Sequence, residues 1–142
     1  MKTSARNQFL GNVVAVQRGA INDEVDLQLA SGKHIVATMT HASVERLGLD
    51  AGVQAFAMVK ASSVILVVDD DNVKFSARNR MGGIVTHVQT GAVNSEVVID
   101  VDGGEALVAI VTNQSCQSLD LAVGARAAGI FKASSVVLGV LA

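Results

Sequence analysis

The chain has 142 residues, half of them hydrophobic, with 11 Lys and Arg against 13 Asp and Glu and a formal charge of −2. That balance excludes a general polyanion binder, because nucleic-acid affinity rests on a dense basic face, so any anion site has to be local. The apolar runs are shorter than the roughly 20 residues that cross a bilayer, the opening Met1-Lys2-Thr3-Ser4-Ala5-Arg6-Asn7 has no apolar signal core, and the single Cys116 excludes an internal disulfide and fits a reducing cytoplasm.

In chain order the pattern is mostly that of strands. Phe9 to Gln17 is rich in valine and ends at Gly19-Ala20, a turn or bulge signal after a β run. Glu24 to Leu29 alternates polar and apolar residues, as a half-buried antiparallel strand does. Ser31-Gly32 supplies a hairpin turn, and His34 to Met39 returns as the next strand. Thr40 then caps a short helical run that ends near Gly48. A last strand is expected from Val53 to Val68, broken at Ala61-Ser62-Ser63. Asp69-Asp70-Asp71-Asn72 reads as a solvated linker in preference to a carboxylate metal site.

The series then starts again. Displaced by 72 positions, Ser4-Ala5-Arg6-Asn7 falls on Ser76-Ala77-Arg78-Asn79, and Lys60-Ala61-Ser62-Ser63-Val64 falls on Lys132-Ala133-Ser134-Ser135-Val136, with no gap between. Gly19-Ala20 and Asn22 match Gly91-Ala92 and Asn94, Thr40 and Ser43 match Thr112 and Ser115, and Gly52 matches Gly124. Two copies of one small domain therefore fill the chain: a first domain over 1–69, a linker over 70–74 and a second domain over 75–142. Units of roughly 65 to 70 residues have marginal cores on their own, so the copies, or several chains, are expected to pack together. Five strands and one short helix, repeated, suggest a pair of small closed or partly closed barrels.

The repeated polar residues are all hydrogen-bond donors. Each copy offers one Arg, one Lys, the hydroxyls of Ser4, Thr40, Ser43 and Ser62 or their partners, and free backbone N–H groups at a helix start, with no carboxylate in the set. A tetrahedral dianion needs many donors, and helix N-termini favour such a ligand. Taken singly these residues read as a helix cap and surface polar groups. Their joint recurrence at fixed offsets favours an oxyanion site.

Thr3-Ser4-Ala5-Arg6-Asn7-Gln8, Gly19-Ala20-Ile21-Asn22, Thr40-x-x-Ser43 and Lys60-Ala61-Ser62-Ser63-Val64, four motifs in order and twice over, resemble the molybdate-binding Mop domain of the molbindins in its tandem form. The resemblance implies an all-β fold of two tandem OB-like five-stranded β-barrels, each with one short helix. It also implies a homotrimer with sites at domain and subunit interfaces, and a cytoplasmic role in molybdenum storage and homeostasis with molybdate, or tungstate as its analogue, as ligand. By motif matching Ser4, Arg6 and Lys60 carry over as anion ligands, with Thr40 and Ser43 contributed from a neighbouring domain. Ser76, Arg78, Lys132, Thr112 and Ser115 do the same in the second copy. Ala5, Asn7, Ser62, Ala77, Asn79 and Ser134 carry over as neighbours of the ligand, some through backbone N–H groups. The family's second kind of site, on the threefold axis, has the Gly19 to Asn22 and Gly91 to Asn94 turns as candidates.

The copies differ where His41 becomes Asn113, Gln8 becomes Arg80 and Arg46 becomes Ser118, so the two site sets need not behave alike. His34 and His87 lack histidine partners in the other copy and are expected at the surface, and Cys116, opposite Val44, is expected in the core. There is no G-x-x-x-x-G-K-[ST] loop and no room for a separate DNA-binding domain, which argues against a transporter ATPase or a repressor. An OB-like single-stranded nucleic-acid module is the alternative, yet four Phe with no Trp or Tyr give few stacking platforms. An enzyme is not expected either, because no nucleophile and base recur together; neither a nucleic-acid nor a membrane partner is expected.

Overall fold

The computed structural model describes residues 1–141. Strands β1 (Asn7–Gln17), β2 (Asn22–Leu29) and β3 (His34–Thr40) form an antiparallel meander, followed by helix α1 (His41–Leu47) and strand β4 (Gln54–Val59). A 3-10 turn at Ala61–Ser63 leads into the short strand β5 (Ile65–Val67). The second copy repeats the series: β6 (Asn79–Thr90), β7 (Asn94–Val101), β8 (Ala106–Thr112), α2 (Asn113–Ser118), β9 (Arg126–Phe131), a 3-10 turn at Ala133–Ser135, and β10 (Val136–Gly139). The pleat explains the strands, since in β2 Val25, Leu27 and Leu29 point inward and Glu24 and Gln28 do not. A register shift between Val13 and Ala15 in β1 recurs between Val85 and His87 in β6, so each long strand has one bulge that bends it across its sheet. The expected helices are present but short. Thr40 and Thr112 cap them by accepting from the Ser43 and Ser115 N–H groups, and Gly48 ends α1 in the left-handed region at φ 65°. The repeat puts Asp120 at that position with φ 51°, a conformation aspartate tolerates better than most residues.

The mostly-β fold has two curled five-stranded sheets, of order β10-β4-β1-β2-β3 and β5-β9-β6-β7-β8. The expected final strand of each copy is thus divided between the sheets. β4 lies beside β1 of its own copy, whereas β5 crosses over to pair with β9 through Ile65↔Ile130 and Val67↔Ala128. In return β10 pairs with β4 through Val136↔Val59 and Leu138↔Ala57. The redirection occurs at the 3-10 turn, where the Ser63 N–H closes onto the Lys60 carbonyl at 2.9 Å, as Ser135 does onto Lys132. Leu66, Val136 and Leu138 are buried on the exchanged strands, in one continuous core that contains Val13, Leu27, Ile35 and Val59 of the first copy with Val85, Ile99, Leu107 and Phe131 of the second. Cys116 lies in that core as expected.

Two buried asparagines join the halves as well. The Asn7 amide donates to the Val108 carbonyl and accepts the Val108 N–H, both at 2.8 Å, while Asn79 makes the same pair of bonds to Val36 at 2.9 and 2.8 Å. Each side chain completes backbone groups on the outer strand of the opposite sheet. In the run read as a solvated linker, Asp69, Asp71 and Asn72 are exposed, whereas the Asp70 carboxylate receives Arg80 Nε and Nη2 at 2.7 and 2.8 Å. No described helix is long and apolar enough to cross a membrane.

Candidate functional site

The first copy's donors converge. Thr3, Ser4, Ala5, Arg6, Lys60, Ala61 and Ser62 line one cavity of about 400 Å³, whose remaining wall is Met58 with Ile110, Ser135 and Val137 of the second copy. The N-terminal segment arrives there because β1 begins at Asn7, and Lys60 and Ser62 are placed by the end of the adjacent β4 and by the 3-10 turn. Val137 is an exposed residue of the exchanged strand β10. The cavity is therefore built by both halves.

Ser62 and Ile110 also border a second cavity of about 390 Å³, together with Ile65, Asn94, Thr112 and Ser115. The helix-start pair of the second copy thus lines a cavity that shares Ser62 and Ile110 with the one lined by Arg6 and Lys60. Its hydroxyls are already engaged: Thr112 Oγ1 donates to Ser115 Oγ at 2.8 Å and accepts the Ser115 N–H at 3.1 Å. Thr40 and Ser43 repeat this at 2.9 and 3.2 Å. In the second copy Ser76, Arg78 and Ser134 are exposed, Ala77 is half-buried, and Lys132 leads into the 3-10 turn that packs on β3, as the first copy's turn packs on β8. Asn7 and Asn79 are buried with their amides bound to the opposite half.

The arrangement departs from the expected all-donor set in one respect. Arg6 Nη2 donates to Glu96 Oε1 on β7, and Arg78 Nη1 donates to Glu24 Oε2 on β2 at 2.7 Å. Glu24 and Glu96 are themselves related by the repeat. Each arginine thus takes a carboxylate from the other half, whereas Lys60 and Lys132 have no salt-bridge partner among the described residues. The recurrence of Glu24 as Glu96 was the available signal, obscured because both also fit the polar face of an alternating strand.

A family model described as "TOBE domain" matches this chain twice, over residues 3–66 and 76–138. The chain belongs to the TOBE-domain family. Its paired TOBE units and its overall fold are those of a tandem-domain molbindin. The chain is 43% identical to the cytoplasmic molybdate-binding protein ModG, whose structure was solved with molybdate bound; the likeness covers 99% of this chain and 100% of that one, with a TM-score of 0.96. It is 44% identical over 99% of its length to the molybdenum transport protein ModE of Herbaspirillum seropedicae, and 41% identical over 97% to the molybdenum-pterin-binding protein MopA of Rhodobacter capsulatus. The chain spans about half the length of these curated relatives, 52% in both cases.

The two TOBE units are not electrostatically equivalent. In the first, the buried Asp23 carboxylate accepts the Gly19 N–H at 3.0 Å and pairs with His41 Nδ1 at 2.8 Å, beside the capping Thr40. Burial raises the Asp23 pKa, but the Gly19 N–H, His41 and Arg18 outweigh it and hold the group below its ordinary 3.8. In the second unit Ser95 donates to Asn113 Oδ1 at 2.6 Å and Asn113 Nδ2 donates to the Gly91 carbonyl at 2.9 Å. One helix start is thus held by an ionisable pair and the other by a neutral one. His34 and His87 are at the surface, His34 beside Asp26 at 2.6 Å. Two of the four phenylalanines, Phe9 and Phe131, are buried.

Proposed function

We propose that this tandem TOBE pair binds molybdate, with tungstate as its analogue, and serves molybdenum storage and homeostasis in the cytoplasm as a binding protein without catalytic activity. The observation that carries the reading is the cavity in which Ser4, Arg6, Lys60 and Ser62 converge against a wall from the other half. Backbone and hydroxyl donors at Ser4, Ala5 and Ser62, with the two cationic side chains, suit a tetrahedral dianion. Charge-assisted hydrogen bonds contribute roughly 1.5 to 3 kcal/mol each, so five or six offset the desolvation of a small oxyanion. Ser76, Ala77, Arg78, Lys132 and Ser134 form the corresponding second set. Thr40 with Ser43 and Thr112 with Ser115 complete the two sets from a neighbouring unit or subunit. Asn7 and Asn79 support the ligand-bearing segments by fixing the start of β1 and β6. ModG, with 43% identity and the same fold, was solved with molybdate bound, which supports this ligand.

The pair acts in a homotrimer, with exposed apolar residues such as Ile65 and Val137 beside the cavities available for subunit contact. Burial of two of the four phenylalanines weighs against base stacking and hence against the single-stranded nucleic-acid alternative.

The test is molybdenum analysis after gel filtration with molybdate, for the wild type and for Arg6→Ala and Arg78→Ala. Each variant should elute as a trimer and lose a different subset of bound molybdenum. Affinity at those sites should fall by about 2 to 4 kcal/mol, or roughly 30- to 800-fold. Unchanged molybdenum content and affinity in both variants would remove the assignment, and a stable monomer saturated with molybdate would remove the intersubunit sites.

A further inference from the structure

The arginine that an oxyanion must engage already has an acidic partner, twice over. Arg6 donates to Glu96, and Arg78 donates to Glu24 at 2.7 Å. The glutamate side chains are the more buried members, 23% and 33% exposed against 50% and 53% for the arginines, so in each pair the arginine is the member more open to solvent and to an entering anion. Glu96 is the direct cross-strand neighbour of Ile110, which forms part of the cavity wall. Cross-strand neighbours share a sheet face, so the carboxylate stands on the cavity's side of the sheet.

Resting on the oxyanion reading above, we infer that Glu96 and Glu24 set the affinity of the two sites by competing with the anion for Arg6 and Arg78. A carboxylate and a tetrahedral oxyanion present the same kind of charged oxygen to the guanidinium fork. Anion entry therefore exchanges one acidic partner for another, and the glutamate left behind repels the bound dianion. The lysines set no such limit, because neither is held in a salt bridge among the described residues. The glutamate favours release: when the anion leaves, the arginine returns to a partner already in place, and the empty site does not leave that guanidinium unpaired. Both glutamates come from the opposite half of the chain, so each site's affinity depends on the other half's strand.

Glu96→Gln and Glu24→Gln keep the side-chain shape and remove the charge. In calorimetric titration with sodium molybdate, each should bind roughly tenfold more tightly at its own class of sites, the combined effect of freeing the arginine from its exposed ion pair and removing one negative charge near the anion. Dissociation of bound molybdate into excess tungstate should slow correspondingly. The gain should shrink when Glu96→Gln is made in an Arg6→Ala background, because only the direct repulsion of the anion is then relieved and no arginine is freed. Weaker binding in Glu96→Gln would mean that the glutamate positions the arginine for the anion and would overturn the inference, as would unchanged binding or a full gain in the Arg6→Ala background. If the wild type and every variant fail to take up molybdate, the oxyanion reading itself fails; if the wild type binds and the glutamine variants bind no better, only the competition fails.

Discussion

Replacing Asn7 with alanine removes two hydrogen bonds that cross between the halves, from the side-chain amide to the Val108 carbonyl and from the Val108 N–H back to the amide oxygen, each 2.8 Å long. Asn7 is 1% exposed and Val108 lies on the outer strand β8, so the change also strands a donor and an acceptor that have no other strand to pair with on that side. Each lost bond is worth about 1 kcal/mol and each poorly solvated partner adds to that, giving about 2 to 4 kcal/mol in total. For a chain of this size this lowers the melting temperature by roughly 7 to 13 °C. Differential scanning calorimetry measures the shift, and amide hydrogen exchange should report faster exchange at Val108 in particular. Asn79→Ala should behave alike, with Val36 as the reporting amide, because it makes the same pair of bonds. A loss below about 0.5 kcal/mol, within the range of ordinary surface substitutions, would refute the reasoning. Unchanged stability with lost molybdate uptake would place the amide on the ligand instead.

Two further expectations concern the units' differences and a close strand approach that they share. Asp23, held below its ordinary 3.8, contributes stability that is present above that pH and is lost as pH falls through its folded value; the double change Asp23→Ser with His41→Asn, which copies Ser95 and Asn113, should therefore flatten the acid-side fall in urea midpoint between pH 5 and pH 3, and an unchanged fall would show that Asp70 and Asp102, lowered by Arg80 and Arg126, account for all of it. At Gly11 an added Cβ would lie 2.5 Å from the Gln28 carbonyl oxygen, and at the repeat-related Gly83 it would meet the Asp100 carbonyl, so alanine at either position should destabilise by about 1 to 3 kcal/mol in chemical denaturation, whereas wild-type stability would mean that the strands separate without strain.

The order of strands and helices was legible because alternation, turn glycines and capping threonines act over a few residues, and each signal occurs twice. The partner of the last strand was not legible. Val64 to Val68 follows the same Lys-Ala-Ser-Ser-Val segment as its copy, and β4 and β9 offer equivalent edges to β10 and β5. A hydrophobic pattern states that a strand must pair and which face goes inward, without stating which of two equivalent edges receives it. Ser4, Arg6, Lys60 and Ser62 stood out because repetition picks out residues that a core does not need, and one cavity collects them. The same repetition also picks out residues that hold the halves together. Asn7 and Asn79 recur alongside the donors, yet their amides serve backbone groups on the other sheet. The glutamates that face the arginines sit on a strand whose alternation already accounts for a polar residue there, so nothing local distinguished them from solvent-facing positions.

The reciprocal exchange of β5 and β10 has a consequence for how the chain is made. The sheet that begins at Asn7 receives its fifth strand only from Val136–Gly139, the last strand of the second repeat. While the protein is being synthesised, the first half can form its meander but must wait, with one edge of β4 open, until the second half has been made. Such an edge is a template for any available strand, and the late-arriving native one competes with the equivalent strand of a neighbouring nascent chain. Successive ribosomes on one message would bring such chains close together, so the spacing between them bears on whether a finished molecule closes on itself or on its neighbour.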